Sequence, residues 1–332
     1  FTVVPTVVMT SRSPRAFFLA SLLTLGACAR AGGTSVAPAP APESRYVASA
    51  SGRDVGLEGT LRLAARADVV FFGEQHDDPG THRAELSVLA ALGSGSRPVI
   101  LSLEMFERDV QGVLDAYLAG KIGEAEFLAG SRPWERYTTD YRAMVELARA
   151  RGWPVVASNV PRRHASAVSR KGLAALDSLP PGERAMVGRE IACPRDDQYY
   201  ARFAESMKGH SAGGGPPSAA DAAMMKSMTE RFYEAQCIKD ETMAASIVAA
   251  LAAAPKGAVV LHVDGAFHSD FGLGTAARVK RRRPELRTVV LTAVPVDSVA
   301  TAKATEYAER GDIVILTRKP PAVPKAAAPA KP

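Results

Sequence analysis

The chain has 332 residues, 47% of them hydrophobic and 23% charged, a balance that can bury a sizeable core and excludes disorder along the whole length. The net charge of +6 suggests a phosphate-binding surface, but Arg12, Arg15, Lys319, Lys325 and Lys331 lie in two acid-free end segments. The other 36 basic residues face 35 acidic ones, so no nucleic-acid partner is expected.

In chain order, the sequence from Met9 reads as a short basic stretch, an apolar run at 16–25, and then Leu25-Gly26-Ala27-Cys28. An apolar core of about 10 residues is too short to span a bilayer and has the form of a secretory signal. Leu-Gly-Ala-Cys resembles the lipobox of bacterial lipoproteins, which implies a signal peptide over 1–28 and lipid on the Cys28 thiol. Ala29 follows where an Asp would retain the protein at the inner membrane, so the outer membrane is expected, facing the periplasm or the cell surface. Anchoring by more than one acyl chain is stable where a single chain is marginal. Residues 29–45 are Ala- and Pro-rich and are expected to form an extended tether. The folded domain is then expected over 46–319, with a disordered Ala/Pro/Lys tail at 320–332.

Strands are expected at 68–73, 98–103, 154–158, 258–263, 288–292 and 312–316. Each is a continuous apolar run, the pattern of a strand buried on both faces of a parallel sheet. Helical patterns fall at 81–92, 108–118, 140–151 and 274–283. The alternation predicts an α/β fold, a largely parallel sheet with flanking helices. Between the third and fourth strands lie about 95 residues, far more than a crossover needs. Their pattern is helical at 162–177, 181–190, 196–208 and 219–253, with a Gly/Pro break at 211–218. This is read as a helical insertion, about 162–253, forming a lid over one end of the sheet.

In such a sheet, ligands bind beyond the carboxyl ends of the strands. Gly73-Glu74-Gln75-His76 follows the first strand, Glu104 ends the second, Asn159 to His164 follow the third, and Asp264-Gly265-Ala266-Phe267-His268 closes the fourth. A carboxylate ending a hydrophobic strand needs a partner or a solvated pocket. Glu74, His76, Glu104 and His268 are therefore one candidate site. They would be ligands of a divalent metal, or a hydrogen-bonded cluster in which each Glu fixes a histidine tautomer. Asp77 and Asp78, ahead of Pro79, read as helix caps, and His82 and His164 as exposed helix residues. In an oxidising compartment, with Cys28 lipidated, Cys193 and Cys237 are expected to form a disulfide.

Several motifs together resemble the ChaN-type haem-binding uptake lipoproteins, over roughly residues 61–295. They are Gly73-Glu74-Gln75-His76, Leu103-Glu104-Met105-Phe106, Ser158-Asn159-Val160-Pro161-Arg162, the run Ala235-Gln236-Cys237-Ile238-Lys239-Asp240-Glu241-Thr242-Met243-Ala244, and Gly265-Ala266-Phe267-His268. The wider superfamily, with Tiki/TraB proteins and erythromycin esterases, shares the strand-end Glu and His residues. Phe267 stands where that pattern has a small residue, and Cys237 where it has an apolar one. The resemblance implies ferric haem at a homodimer interface, a tyrosine on iron, and basic groups of the partner subunit on the propionates. It further implies a role in haem or iron uptake, with an outer-membrane haem receptor as a partner.

The insertion contains residues of these kinds. A phenolate from Tyr200 or Tyr199 suits ferric iron, with Tyr137 and Tyr141 as further tyrosines. Arg202, Lys208 and His210 could pair the propionates, and His210 is also a candidate for the iron itself. Met224, Met225, Met228 and Phe232 offer soft apolar surface for a porphyrin face. The alternative is a metal-dependent hydrolase or protease-like enzyme, with Glu74 or Glu104 as general base and His76 and His268 as metal ligands or acid–base groups. His-Glu-x-x-His does not occur, and binding rather than catalysis is expected.

Overall fold

A computed structural model describes residues 43–208 and 218–321. The leader with Cys28, residues 29–42 of the expected tether, His210 and the tail from 322 lie outside the described residues. Among these residues, eight strands form one sheet: β1 (Ser44–Ala48), β2 (Arg53–Asp54), β3 (Val69–Glu74), β4 (Val99–Glu107), β5 (Val155–Asn159), β6 (Val259–Gly265), β7 (Thr288–Val296) and β8 (Ile313–Arg318), in the order β2-β1-β8-β7-β3-β6-β4-β5. The six expected strands are β3 to β8, and they run parallel. Every residue of β3 and of β6 is buried, which is why their apolar runs do not alternate.

β1 and β2 escape the sequence reading. β1 pairs antiparallel with the outer edge of β8, starting at Ser44, two residues inside the expected tether. It lies between β8 and the two-residue edge strand β2 and is only partly buried, so its residues carry no strong apolar pattern of their own.

Among the described residues, ten α-helices flank the sheet: α1 (Gly56–Ala64), α2 (Pro79–Leu92), α3 (Gln111–Leu118), α4 (Glu124–Ser131), α5 (Arg142–Arg151), α6 (Arg162–Lys171), α7 (Pro181–Arg184), α8 (Gln198–Lys208), α9 (Ala219–Ala253) and α10 (Gly274–Arg282). α2 begins as its sequence dictates: the Asp78 carboxylate accepts from the amides of Gly80 (2.9 Å) and Thr81 (3.1 Å), and Pro79 occupies the first helical position. Asp77, the other expected cap, is exposed and makes no such bond. The insertion between β5 and β6 is helical, α6 to α9, although α7 is a single turn rather than the ten residues expected.

The sheet is covered on both faces. Val70, Phe72, Leu101, Leu103 and Val263 pack with Leu89 of α2, Leu114 of α3 and Val145 of α5. On the other face, Val69, Phe71, Ile100 and Val260 meet Ile247 of α9 and Val279 of α10. Each such fully buried side chain contributes roughly 1.5–3 kcal/mol relative to exposure. This rigid block fixes where β3, β6 and β4 end, side by side: Glu74 stands opposite Gly265, and Leu103 opposite Val263.

Candidate functional site

Beyond those three strand ends, under α8 and α9, lies a cleft of about 770 Å³ lined by Glu74, His76, Glu104 and His268. The four residues come from separate parts of the chain, and adjacent strand ends bring them together. His76 sits directly against bare backbone, since a Cβ on Gly265 would come within 2.9 Å of its Cε1 and 3.0 Å of its Nε2. Its Nδ1 is hydrogen-bonded to Glu74 Oε1, which also accepts from the Tyr141 hydroxyl at 2.7 Å. The ring packs edge-on against Trp134, with centroids 4.9 Å apart, yet half of the side chain remains exposed to the cleft.

The deeper side of the cleft is a charged chain. His268 Nε2 lies 3.3 Å from Glu104 Oε1, and its Nδ1 lies 2.7 Å from Asp240 Oδ1. Glu104 also accepts from the Gly265 amide at 2.8 Å, and Asp240 from the hydroxyls of Tyr199 (2.7 Å) and Thr275 (2.9 Å). Burial alone would strip His268 of its proton, but the Glu104 and Asp240 charges outweigh it and push its pKa up to about 10. Burial likewise opposes charge on Glu104, and the imidazolium holds it well below the usual carboxylate range. At neutral pH His268 is therefore a fixed cation clamped between two carboxylates. A protonated imidazole holds no metal, which removes the metal-ligand role that the hydrolytic alternative gives His268.

Behind this chain, His262 of β6 is fully buried; burial pushes its pKa down to about 3, and its Nδ1 pairs with the Ser102 hydroxyl at 2.9 Å. It is a neutral core histidine and does not reach the cleft.

Basic and aromatic groups line the remaining walls. Arg202 of α8, Lys239 of α9 and Arg310 contribute cations, and Trp134, Phe267 and Phe271 contribute rings. The Arg202 guanidinium stacks 3.3 Å from the Phe271 ring centroid. Phe271 holds a φ of 63°, the left-handed region that a bulky residue rarely adopts. Its ring is fixed in a strained turn at the cleft.

The other expected residues fall elsewhere. Tyr199 lines the cleft, but its hydroxyl is spent on Asp240, and burial with the Asp240 charge raises its pKa well above the ordinary value, against the phenolate that iron would need. The Tyr200 ring packs edge-on against Tyr233, 4.9 Å between centroids, and does not line the cleft. Lys208 pairs with Glu205 at 2.6 Å on the exposed side of α8. Tyr137 is buried in the core beneath the sheet. Met224 and Met228 are exposed, and neither they nor Met225 and Phe232 line the cleft. His82 and His164 are buried rather than exposed: α2 turns His82 inward beside Tyr141, and His164 meets Glu183 at 2.9 Å. Both read as surface positions because neighbouring polar residues mask the inward face of their helices.

Cys193 and Cys237 are bonded, S–S 2.09 Å, tying the segment ahead of α8 to α9. Gln236, Lys239 and Asp240 were quoted only as part of a motif; their places follow from α9, which crosses the strand ends and presents all three to the cleft or to His268. Arg310 and Phe271 carried no sequence signal.

Comparison with known proteins follows the same geometry. A structure of Campylobacter jejuni ChaN with cofacial haem bound has 16% identity, covers 84% of this chain and 100% of its own, and superposes with a TM-score of 0.62. A succinoglycan biosynthesis protein (11% identity, 79% and 90% coverage, TM-score 0.47) and an erythromycin esterase (12%, 75% and 76%, 0.42) are looser matches. No curated protein matches by sequence. The sequence model of the family described as haem-binding uptake, Tiki superfamily, ChaN matches residues 60–279. With that match running from within α1 to within α10, over β3 to β6 and every strand-end residue of the cleft, the chain belongs to the ChaN-type haem-binding uptake family of the Tiki superfamily.

Proposed function

We propose that this protein binds ferric haem in the strand-end cleft and serves haem or iron uptake as a lipid-anchored protein of the outer membrane. The observation that carries the reading is the composition of the cleft wall. Trp134, Phe267 and Phe271 supply apolar area, Arg202, Lys239 and Arg310 supply cations, and a half-exposed His76 lies among them. A porphyrin asks for these three things: a flat apolar face, partners for two propionates, and a donor for iron. A volume of about 770 Å³ is in the range of sites for ligands of that size.

Arg202, Lys239 and Arg310 would hold the propionates by charge-assisted hydrogen bonds. His76 would hold the iron, because Glu74 fixes its Nδ1 and leaves Nε2 as the free ring nitrogen. When bound, the haem would supply a ferric centre, and the chain's own residues would orient it and shield it from water. A half-exposed ligand at the cleft mouth supports a second copy of the chain closing over the exposed porphyrin face. The Cys193–Cys237 bond supports an oxidising compartment, in keeping with the lipobox at Cys28.

Titrating hemin into the purified protein is expected to shift the Soret band and to saturate. His76→Ala should weaken binding by about tenfold or more, a loss of roughly 1.4 kcal/mol or greater, while Tyr200→Phe leaves it unchanged. Absorbance identical to free hemin throughout the titration would defeat the reading.

A further inference from the structure

Directly behind His76, on the side of Glu74 away from the cleft, three groups with ligand atoms converge. Glu74, His82 and Glu85 each place one ligand atom within 4.8 Å of the others, and all three residues are buried. His82 Nδ1 lies 3.1 Å from Glu85 Oε2 and 3.7 Å from Glu74 Oε2. Its other ring nitrogen, Nε2, lies 3.2 Å from the His76 carbonyl and 3.4 Å from an Asp140 carboxylate oxygen. Nδ1 is hydrogen-bonded to Glu85 Oε2; in the tautomer whose proton sits on Nε2, donated to those acceptors, His82 would instead turn the Nδ1 lone pair toward two carboxylates. Glu74 Oε2 and Glu85 Oε1 are buried without a donor when both groups are ionised, and only a proton held between the two carboxyls joins them in a hydrogen bond.

Lone pairs facing one another in a dry interior are costly unless a positive charge sits among them. Protons can supply it: burial, reinforced by the neighbouring acids, pushes both Glu74 and Glu85 up to about 8. A divalent cation supplies it more fully, because two carboxylates and a dication sum to zero. The histidine already has the arrangement metal ligands show, one nitrogen toward the ion and the other donating to a carbonyl or carboxylate. Two carboxylate oxygens and one imidazole suit zinc, manganese or ferrous iron rather than a soft thiolate-seeking ion.

We propose that Glu74, His82 and Glu85 form a buried divalent-cation site, separate from the cleft and sharing only Glu74 with it. The ion would lock the carboxylate that orients His76 from behind, and its presence does not depend on haem.

Equilibrium dialysis of the metal-free full chain against Co²⁺ and Zn²⁺, with Co²⁺ followed by its visible ligand-field bands, tests this. One equivalent bound, with affinity weakened more than about 100-fold in Glu85→Gln and in His82→Gln and retained in Glu104→Gln, is the expected result. No stoichiometric uptake by the native chain would overturn it. So would loss in Glu104→Gln with retention in Glu85→Gln, which would put the ion in the cleft. Should Glu85→Gln fail to fold, the native protein still decides: its melting temperature must rise with Zn²⁺ concentration, and a melting temperature indifferent to Zn²⁺ refutes the site. Hemin titration of the same samples is read separately, so failure of haem binding and failure of the cation site are distinguishable.

Discussion

At the scale of single residues, the cleft depends on His268 keeping its charge. Its pKa is raised above the unfolded value of 6.5 to about 10 by Glu104 and Asp240. The stability this contributes is therefore fully present below pH 6.5 and is lost as pH rises through about 10. His268→Gln leaves two buried carboxylates without their cation and should cost roughly 3–5 kcal/mol near pH 6. The cost should shrink toward pH 10 and above, where the native protein has lost the same interaction. Urea midpoints across that range check it, and a cost that does not vary with pH would contradict the ion-paired imidazolium. Gly265 acts at the same scale by omission: its missing side chain is the space that the His76 ring uses.

At the scale of elements, α8 and α9 make the roof, and their mutual position is held by few strong ties. The Tyr199 and His268 bonds to Asp240 pin both helices to the strand end, and the Cys193–Cys237 bond closes a loop with a sequence separation of 44. In the chain-entropy account a loop of that length is worth about 4 kcal/mol. Replacing both cysteines by serine should lower stability by up to that amount. It should also weaken hemin binding, because Arg202 sits on α8, inside the bridged loop. A double variant with native melting temperature and native hemin affinity would show that the bond does not support the roof.

At the scale of the whole molecule, the proposed uptake role asks for two further properties. Haem held at the half-exposed His76 should draw a second copy over its open face, so sedimentation of the purified protein should show dimers that grow with hemin and decline when it is removed. Membrane attachment should depend on one thiol: Cys28→Ser is expected to move the protein from the membrane fraction to the soluble fraction of expressing cells. Dimers unaffected by hemin, or full membrane retention of the serine variant, would count against these parts of the proposal.

Much of this was legible in the amino-acid sequence, for a definite reason. Strands buried on both faces must be apolar at every position, so β3 to β8 announce themselves, and a polar residue ending such a strand announces a site. Glu74, His76, Glu104 and His268 were legible in that way. Local chemistry likewise determined the Asp78 cap and the long run of α9. Only the tertiary structure decided which phenol was free, which histidine faced inward and which cations reached the cleft. Tyr199 and Tyr200 are adjacent in the chain, yet one hydroxyl is consumed by Asp240 while the other ring packs outside the cleft. His82 shares its helix with polar neighbours and still points into the core. Side-chain partners are chosen across distances of dozens of residues, where hydrophobic period has no information to carry; the strand order and helix packing had to exist before those contacts could.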